Sequence, residues 1–219
     1  MTVQIDDIGF ESYSWDELVD TQLGVDYAAY RGWVYVSVKH FREPDVLDLR
    51  GGESDQYDPF SQHFIARNRH DGAIVGCTRV IRNTPQITLP ASHHFPGTIA
   101  STHINPWSIG EVSRFISTAG SPRLRRNVAL LLIRELADHV LDRNRNHVVF
   151  VVERPLSRWL GSLGVPLEPI GAERWIEEEQ GALTPYLVDM KECDRALAAT
   201  HTVYATPFDP SPTLTYRQR

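Results

Sequence analysis

The chain has 219 residues, 42% hydrophobic and 23% charged, a composition that supports a packed core and excludes wholesale disorder. A net charge of −6 argues against a general nucleic-acid binder, and two cysteines, Cys77 and Cys193, are too few for a disulfide framework. No metal site is expected from the nine histidines, which form no HxxxH or HExxH pair. No apolar run approaches the ~20 residues that span a bilayer, and "MTVQIDDIG" is no signal peptide, so the expectation is a cytoplasmic protein without membrane contact.

In chain order, "VQIDDIGFES" alternates in part and predicts a first strand. Ser14 followed by Glu17 forms a capping box. The helix it starts is predicted to run through "LVDTQLGVDYAAYRGWVYVSV", weakened by Gly24 and Gly32. Residues 40–57 are polar and long for a plain connection, a length that points to function. "FSQHFIARNR" and "AIVGCTRVIRN" flank an Asp-Gly turn and predict a hairpin. Residues 84–106 read as irregular.

"WSIGEVSRFIST" at 107–118 is β-branched and aromatic, hence a strand, yet Glu111 and Arg114 sit in its middle. Charges are seldom buried unpaired, and residues three apart on a regular strand face opposite ways. Either the two charges serve different faces or a bulge re-aims one of them; Gly110 marks such a bulge or a close backbone approach. Ser121 and Pro122 then open the longest predicted helix, through "RNRN". "HVVFVVE" reads as a parallel strand covered on both faces. A short helix "LSRWLGSLG", a strand near "VPLEPIG" and another at "LTPYLVDM" follow. "WIEEEQ" and the His93–His94 pair read as solvent-facing and without function. The order gives a mixed α/β sheet in one domain, residues 1–201, followed by a loose tail at 202–219.

Four stretches, "YRGWVYV" at 30–36, "SDQYDP" at 54–59, "VGCTRVI" at 75–81 and "GEVSRFI" at 110–116, resemble the acyl-homoserine-lactone (autoinducer) synthase branch of the GNAT acyltransferase superfamily. The likeness covers roughly residues 20–170. The family's Arg and following aromatic fall on Arg31 and Tyr35, its paired acids on Asp55 and Asp58, and its hairpin Arg on Arg79. Its Glu-x-Ser-Arg-Phe run falls on Glu111, Ser113, Arg114 and Phe115. Phe41 and Gly110 stand where the family commonly has Trp. The resemblance implies a GNAT-like three-layer sandwich, an α/β (α+β) mixed sheet whose central strand is bulged and splayed.

It also implies a reaction of quorum-sensing signal synthesis. An acyl group passes from an acyl-carrier-protein or acyl-CoA thioester to the amine of S-adenosylmethionine, which lactonises and releases methylthioadenosine. No tightly bound cofactor is implied. Asp55 and Asp58 suit the positive charges of that amine, and Arg31 can fork onto its carboxylate. Glu111 is the candidate proton acceptor or, alternatively, an ion-pair partner of Arg114 or Arg79. The backbone near Arg114 and Phe115 is the candidate source of oxyanion donors. Arg31, Asp55, Asp58, Arg79, Glu111 and Arg114 form a balanced set that can pair. Trp33, Tyr35 and Phe41 read as a platform for adenine or methionyl groups, or as core.

Arg123, Arg125 and Arg126 open the long helix, either as a phosphopantetheine or carrier-protein contact or as a solvated face. "STAGSPRLRRN" has one Gly, which favours a carrier-protein donor over coenzyme A. Two alternatives stay open: an N-acyl amino acid synthase of the same fold, and a non-catalytic binder of thioester or carrier protein.

Overall fold

A computed structural model of the chain describes residues 3–38, 47–48, 51–143 and 145–205. Eight strands form one sheet: β1 Ile8–Ser14, β2 Ser61–Asn68, β3 Ile74–Arg82, β4 Ile109–Ser117, β5 His147–Glu153, β6 Glu168–Pro169, β7 Arg174–Ile176 and β8 Gly181–Asp189. The order is β1-β2-β3-β4-β5-β8-β6, with β7 also on β8. Only β4 and β5 pair in parallel.

Two-residue periodicity splits the inner strands into two faces. Phe64, Ala66, Val80, Val112, Val148, Phe150 and Val152 point to the face covered by α4 (Pro122–Asp142), α5 (Arg154–Leu163) and α6 (Met190–Thr200). Ile65, Cys77 and Ile116 point the other way, onto Leu18 of α1 (Trp15–Leu18) and Tyr27 and Tyr30 of α2 (Gln22–Gly32). Farther along that face, Ile81, Ile109 and Val149 meet Leu89, Ala91 and Ile99 of the 84–106 segment. That segment, expected to be irregular, contains a short helix α3 (Pro90–His94). The result is the three-layer α/β sandwich expected.

The long first helix is not continuous. Ser14 and Glu17 make the expected capping box, but α1 stops after one turn, and Thr21 caps a separate α2 through the Gly24 amide. The chain then widens into π-helical turns over Trp33–Val38, where the aromatic and β-branched run begins. The glycines explain the break. A methyl group on Gly24 would strike the Leu18 carbonyl, and one on Gly32 would strike the Gly51 carbonyl. Gly32 therefore lets the 51–53 backbone lie on α2, where the Glu53 amide donates to the Ala28 carbonyl at 2.9 Å. This contact delivers an acidic loop to the end of α2.

The bulge lies in β4. Cys77 pairs with Ile116 and Arg79 with Ser113, so Arg114 and Phe115 together oppose Thr78 alone. Arg114 takes a left-handed backbone conformation, φ +54°. Its side chain is thereby turned to the face that carries Glu111 and Ser113, while Phe115 returns to the α4 face. Gly110 marks no bulge but a close approach, since a Cβ there would lie 2.8 Å from Val80 Cγ2. Pairing of β4 with β5 ends at Val112 and Phe150, and the strands splay beyond it.

The hairpin and the long helix form as expected, with Ser121 accepting from the Leu124 amide. The strand near residues 165–171 shrinks to Glu168–Pro169, and β7 and α6 were not foreseen. Thr202–Ala205, placed in the expected tail, forms a helical turn (α7) with Tyr204 buried, and Arg134 donates to the Tyr204 carbonyl. Residues 206–219 lie outside the described part, as does Phe41.

Gly32→Ala tests the docking of the acidic loop. It gains up to about 1 kcal/mol of helix propensity. We expect it nonetheless to destabilise the protein, with a lower urea midpoint and loss of whatever turnover the cleft supports; a more stable, active variant would contradict the packing.

Candidate active site

Three arginines and three carboxylates meet, largely buried, between α2, the 53–58 segment and strands β3 and β4. Arg31 donates through Nε to Glu53 at 2.5 Å and through NH1 to Asp58 at 2.8 Å; its NH2 also pairs with Glu53. Arg79 donates to Asp58 (2.5 Å), to both oxygens of Asp55 (2.6 and 2.7 Å) and to Ser113 Oγ (2.8 Å). Arg114 donates to Glu53 at 2.6 Å and to Asp55 at 2.9 Å. Each carboxylate thus bridges two guanidinium groups, and the six charges close into a neutral knot. Arg31 and Asp58 have no exposure at all, and Glu53 and Arg79 only 1%. Tyr27, Tyr57 and Tyr35 lie under Arg31, Arg79 and Arg114 at 5.2, 6.0 and 5.0 Å, so each cation also meets an aromatic face.

Burial opposes the charge on Glu53, yet Arg114 and Arg31 outweigh it and hold the carboxyl down to about 2. Asp55 and Asp58 are likewise lowered against burial, Asp55 mainly by Arg79 and Asp58 by Arg31 and Arg79. Beneath the knot, His63 is buried and pushed down to about 4 by desolvation. Its neutral ring fits its partners, Tyr27 Oη at 3.2 Å and the Asp58 carbonyl at 3.1 Å, as acceptor and donor respectively.

Glu111 stands apart. It was grouped with this network, but the sixth member is Glu53, which sequence reasoning missed. Glu111 is 3% exposed and accepts from the Ala91 amide at 2.7 Å. Burial, opposed by that hydrogen bond and by Arg79, lifts its carboxyl to about 8. Neither Arg79 nor Arg114 forms an ion pair with it.

A cleft of about 1220 Å³ opens beside the knot and runs through the splay of β4 and β5. Asp55, Arg79, Glu111, Arg114 and Phe115 line it, with Trp33 and Tyr35 at one side. Val112, Val151, Val152, Leu156 and Trp159 give it an apolar stretch, and Arg125 and Arg126 flank the start of α4. Arg31 and Asp58 do not line the cleft; they lie beneath it and hold those that do. Arg123 does not line it either. His93, His94, Glu178 and Glu179, read as idle surface, line it. Among the described residues no three potential metal ligands converge.

The match to known proteins is consistent with this geometry. Residues 30–133 match the family model described as an acetyltransferase (GNAT) domain. A curated acyl-homoserine-lactone synthase of Vibrio anguillarum is 26% identical over 130 residues, 57% of this chain and 66% of that protein. The chain therefore aligns with just under two thirds of that relative's length. Among solved structures, BjaI, a CoA-dependent acyl-homoserine lactone synthase solved with SAM and isopentyl-CoA, superposes with a TM-score of 0.69. Its identity is 20%, over 92% of this chain and 91% of that one. FeeM, an N-acyl amino acid synthase from uncultured soil microbes, gives 0.60 at 14% identity over 86% and 95%. The fold is that of the GNAT-type acyl-homoserine-lactone synthases.

The buried groups set opposite pH slopes. As pH falls from about 6.5, an unfolded His63 gains a proton that the folded one refuses down to about 4. Below about 4.5 the knot carboxylates likewise favour the unfolded chain. Glu111 acts the other way, since between about 4.5 and 8 only the unfolded chain releases its proton, so stability falls as pH rises. Urea midpoints across this range should show both limbs, and Glu111→Gln should flatten only the alkaline one. An unchanged alkaline limb would remove Glu111 as its source.

Proposed function

We propose that this chain, related to the acyl-homoserine-lactone synthases and sharing their fold, is an acyltransferase that makes an N-acyl-homoserine lactone from S-adenosylmethionine and an acyl thioester. The observation that carries the reading is a buried carboxyl, Glu111, that lines the cleft beside Asp55, Arg79 and Arg114, which are paired with one another, and that itself forms no ion pair with either arginine.

The amine must lose a proton to attack. An α-ammonium has a reference pKa of about 8, and Glu111 sits at about 8, so transfer between them is close to isoenergetic. In this reading Glu111 takes that proton, directly or through one water. The amine nitrogen attacks the thioester carbonyl carbon, the oxygen gains charge, and the thiolate leaves as the carbonyl reforms. Backbone of β4 beyond Val112 has no ladder partner on β5 and is the candidate source of oxyanion donors. The carboxylate of the acylated product then closes on its own γ-carbon, and methylthioadenosine leaves with the C–S electron pair.

Arg114 supports the reaction by position. Its fork fixes Glu53 and Asp55, and Asp55 presents partial negative charge to the cleft where a sulfonium and an ammonium would sit. Trp33, half-exposed, and Tyr35 are the candidate platform for adenine. The acyl chain is assigned to the apolar stretch between Val112 and Trp159. Arg125 and Arg126 are assigned to the phosphorylated arm of the donor, whether carried by acyl carrier protein or coenzyme A.

Purified protein given S-adenosylmethionine and an acyl thioester should release methylthioadenosine. The rate constant kcat/KM should rise with pH through an apparent pKa near 8, and Glu111→Gln should lose about 10²–10⁴-fold. Acylation of free amino acids without methylthioadenosine would instead favour an N-acyl amino acid synthase, and thioester binding with no turnover a binding module. Coupling acyl carrier protein and coenzyme A in separate assays would identify the donor.

A further inference from the structure

At the opposite end of α4 from the cleft, a small notch is ringed by cations. Arg82 ends β3, His139 lies in the last turn of α4, Arg143 caps that helix, and Arg145 follows in the connection to β5. Val80, Gly110 and Val140 form its floor. No carboxylate lines it, and Arg82, Arg143 and Arg145 have no acidic partner among the described residues. This is unusual in a chain of net charge −6 whose buried arginines are all matched to acids.

The helix end explains only part of the cluster. Arg143 donates to the His139 carbonyl at 3.3 Å, as a cation at a helix C-terminus does. Arg82 comes from a strand, where its Nε donates to the Phe60 carbonyl at 3.4 Å, and Arg145 from the following connection, where its backbone amide rather than its guanidinium meets the Val140 carbonyl. Arg143 also lies 2.9 Å from His139 Nδ1, which accepts from it, so the ring's proton is on Nε2. Burial lowers the proton affinity of His139 to about 4 and also lowers that of Arg145, and in both the neighbouring arginines add to the effect. The cations repel one another, and among the described residues no carboxylate pairs with them.

We infer that this notch is a binding site for a tetrahedral oxyanion, a phosphoryl group, held by the guanidinium groups of Arg82, Arg143 and Arg145 with His139 as a further donor. Guanidinium forks match phosphate oxygens in geometry and charge. The site is distinct from the donor's cleft. His139 lies fourteen helical steps after Arg125, about 21 Å at the α-helical rise. It adjoins the catalytic strands all the same, because Val80 follows Arg79 and Gly110 precedes Glu111.

Inorganic phosphate titrated against chloride at matched ionic strength tests this on the full chain. Saturating phosphate should raise Tm by about 5 °C or more. The gain should persist in R125Q/R126Q, which alters the cleft, and vanish in R82Q/R145Q. Nuclear magnetic resonance of the His139 ring should show its pKa rising from about 4 as phosphate is added. In chloride alone, R82Q/R145Q should be at least as stable as the wild type, because repulsion is relieved. Adenosine monophosphate in place of phosphate separates the sources: equal stabilisation supports a phosphoryl group borne by a larger ligand, and stabilisation by phosphate alone supports the free ion. Absence of phosphate-specific stabilisation, its loss in R125Q/R126Q only, or a destabilised R82Q/R145Q in chloride would each overturn the inference.

Discussion

Six full charges closed into a neutral, largely buried ring at the floor of the cleft are the constraint on which this structure depends. Taking an ion out of water costs several kcal/mol after relaxation, and the mutual attraction repays this only when every partner is present and well placed. Here each carboxylate bridges two guanidinium groups, so no member is spare. Because the six come from α2, the 53–58 segment, β3 and β4, completing the ring ties the N-terminal layer to the centre of the sheet. The backbone contortions follow from that requirement. The bulge at Arg114 turns one cation to the correct face, and the missing side chain at Gly32 admits the loop that carries Glu53.

The same neighbourhood divides carboxylates into two kinds. Glu53, Asp55 and Asp58 are held ionised by arginines and cannot readily accept a proton. Glu111 is buried without an ion-pair partner, and its carboxyl is lifted to about 8. Environments that push like groups apart separate scaffold from reacting acid. The ring and the raised carboxyl are thus neighbours in one site, and Glu111 lines the cleft that opens where β4 and β5 part.

Much of this was legible in the sequence. The three-residue spacing of Glu111 and Arg114 posed a choice between two faces and a bulge, and the bulge is what the chain contains. The capping signals at Ser14 and Ser121 and the Asp-Gly hairpin rest on local hydrogen bonds, so they survive in the fold. What was missed depends on contacts between distant segments. Glu53 has no periodicity to mark it, only a place two residues before Asp55 in the long polar loop. Gly24 and Gly32 read as weak points of a helix, although their purpose is close approach by other backbone. Arg31 and Asp58 were expected to meet the substrate; in the fold they are fully buried below the cleft, paired with each other and with Glu53 and Arg79. "WIEEEQ" and the histidine pair read as solvent-facing, and His93 and Glu178 are exposed; that His93, His94, Glu178 and Glu179 also line one cleft depends on segments that meet only in the finished fold.

Native-state hydrogen exchange of the wild type and Glu53→Gln measures the central claim most directly. If the ring ties the N-terminal layer to the sheet, the amides of Gln22–Gly32 lose protection in the variant while those of β2, β3 and β5 keep theirs. Equal protection of α2 in both proteins, or a uniform loss across the sheet, would contradict it.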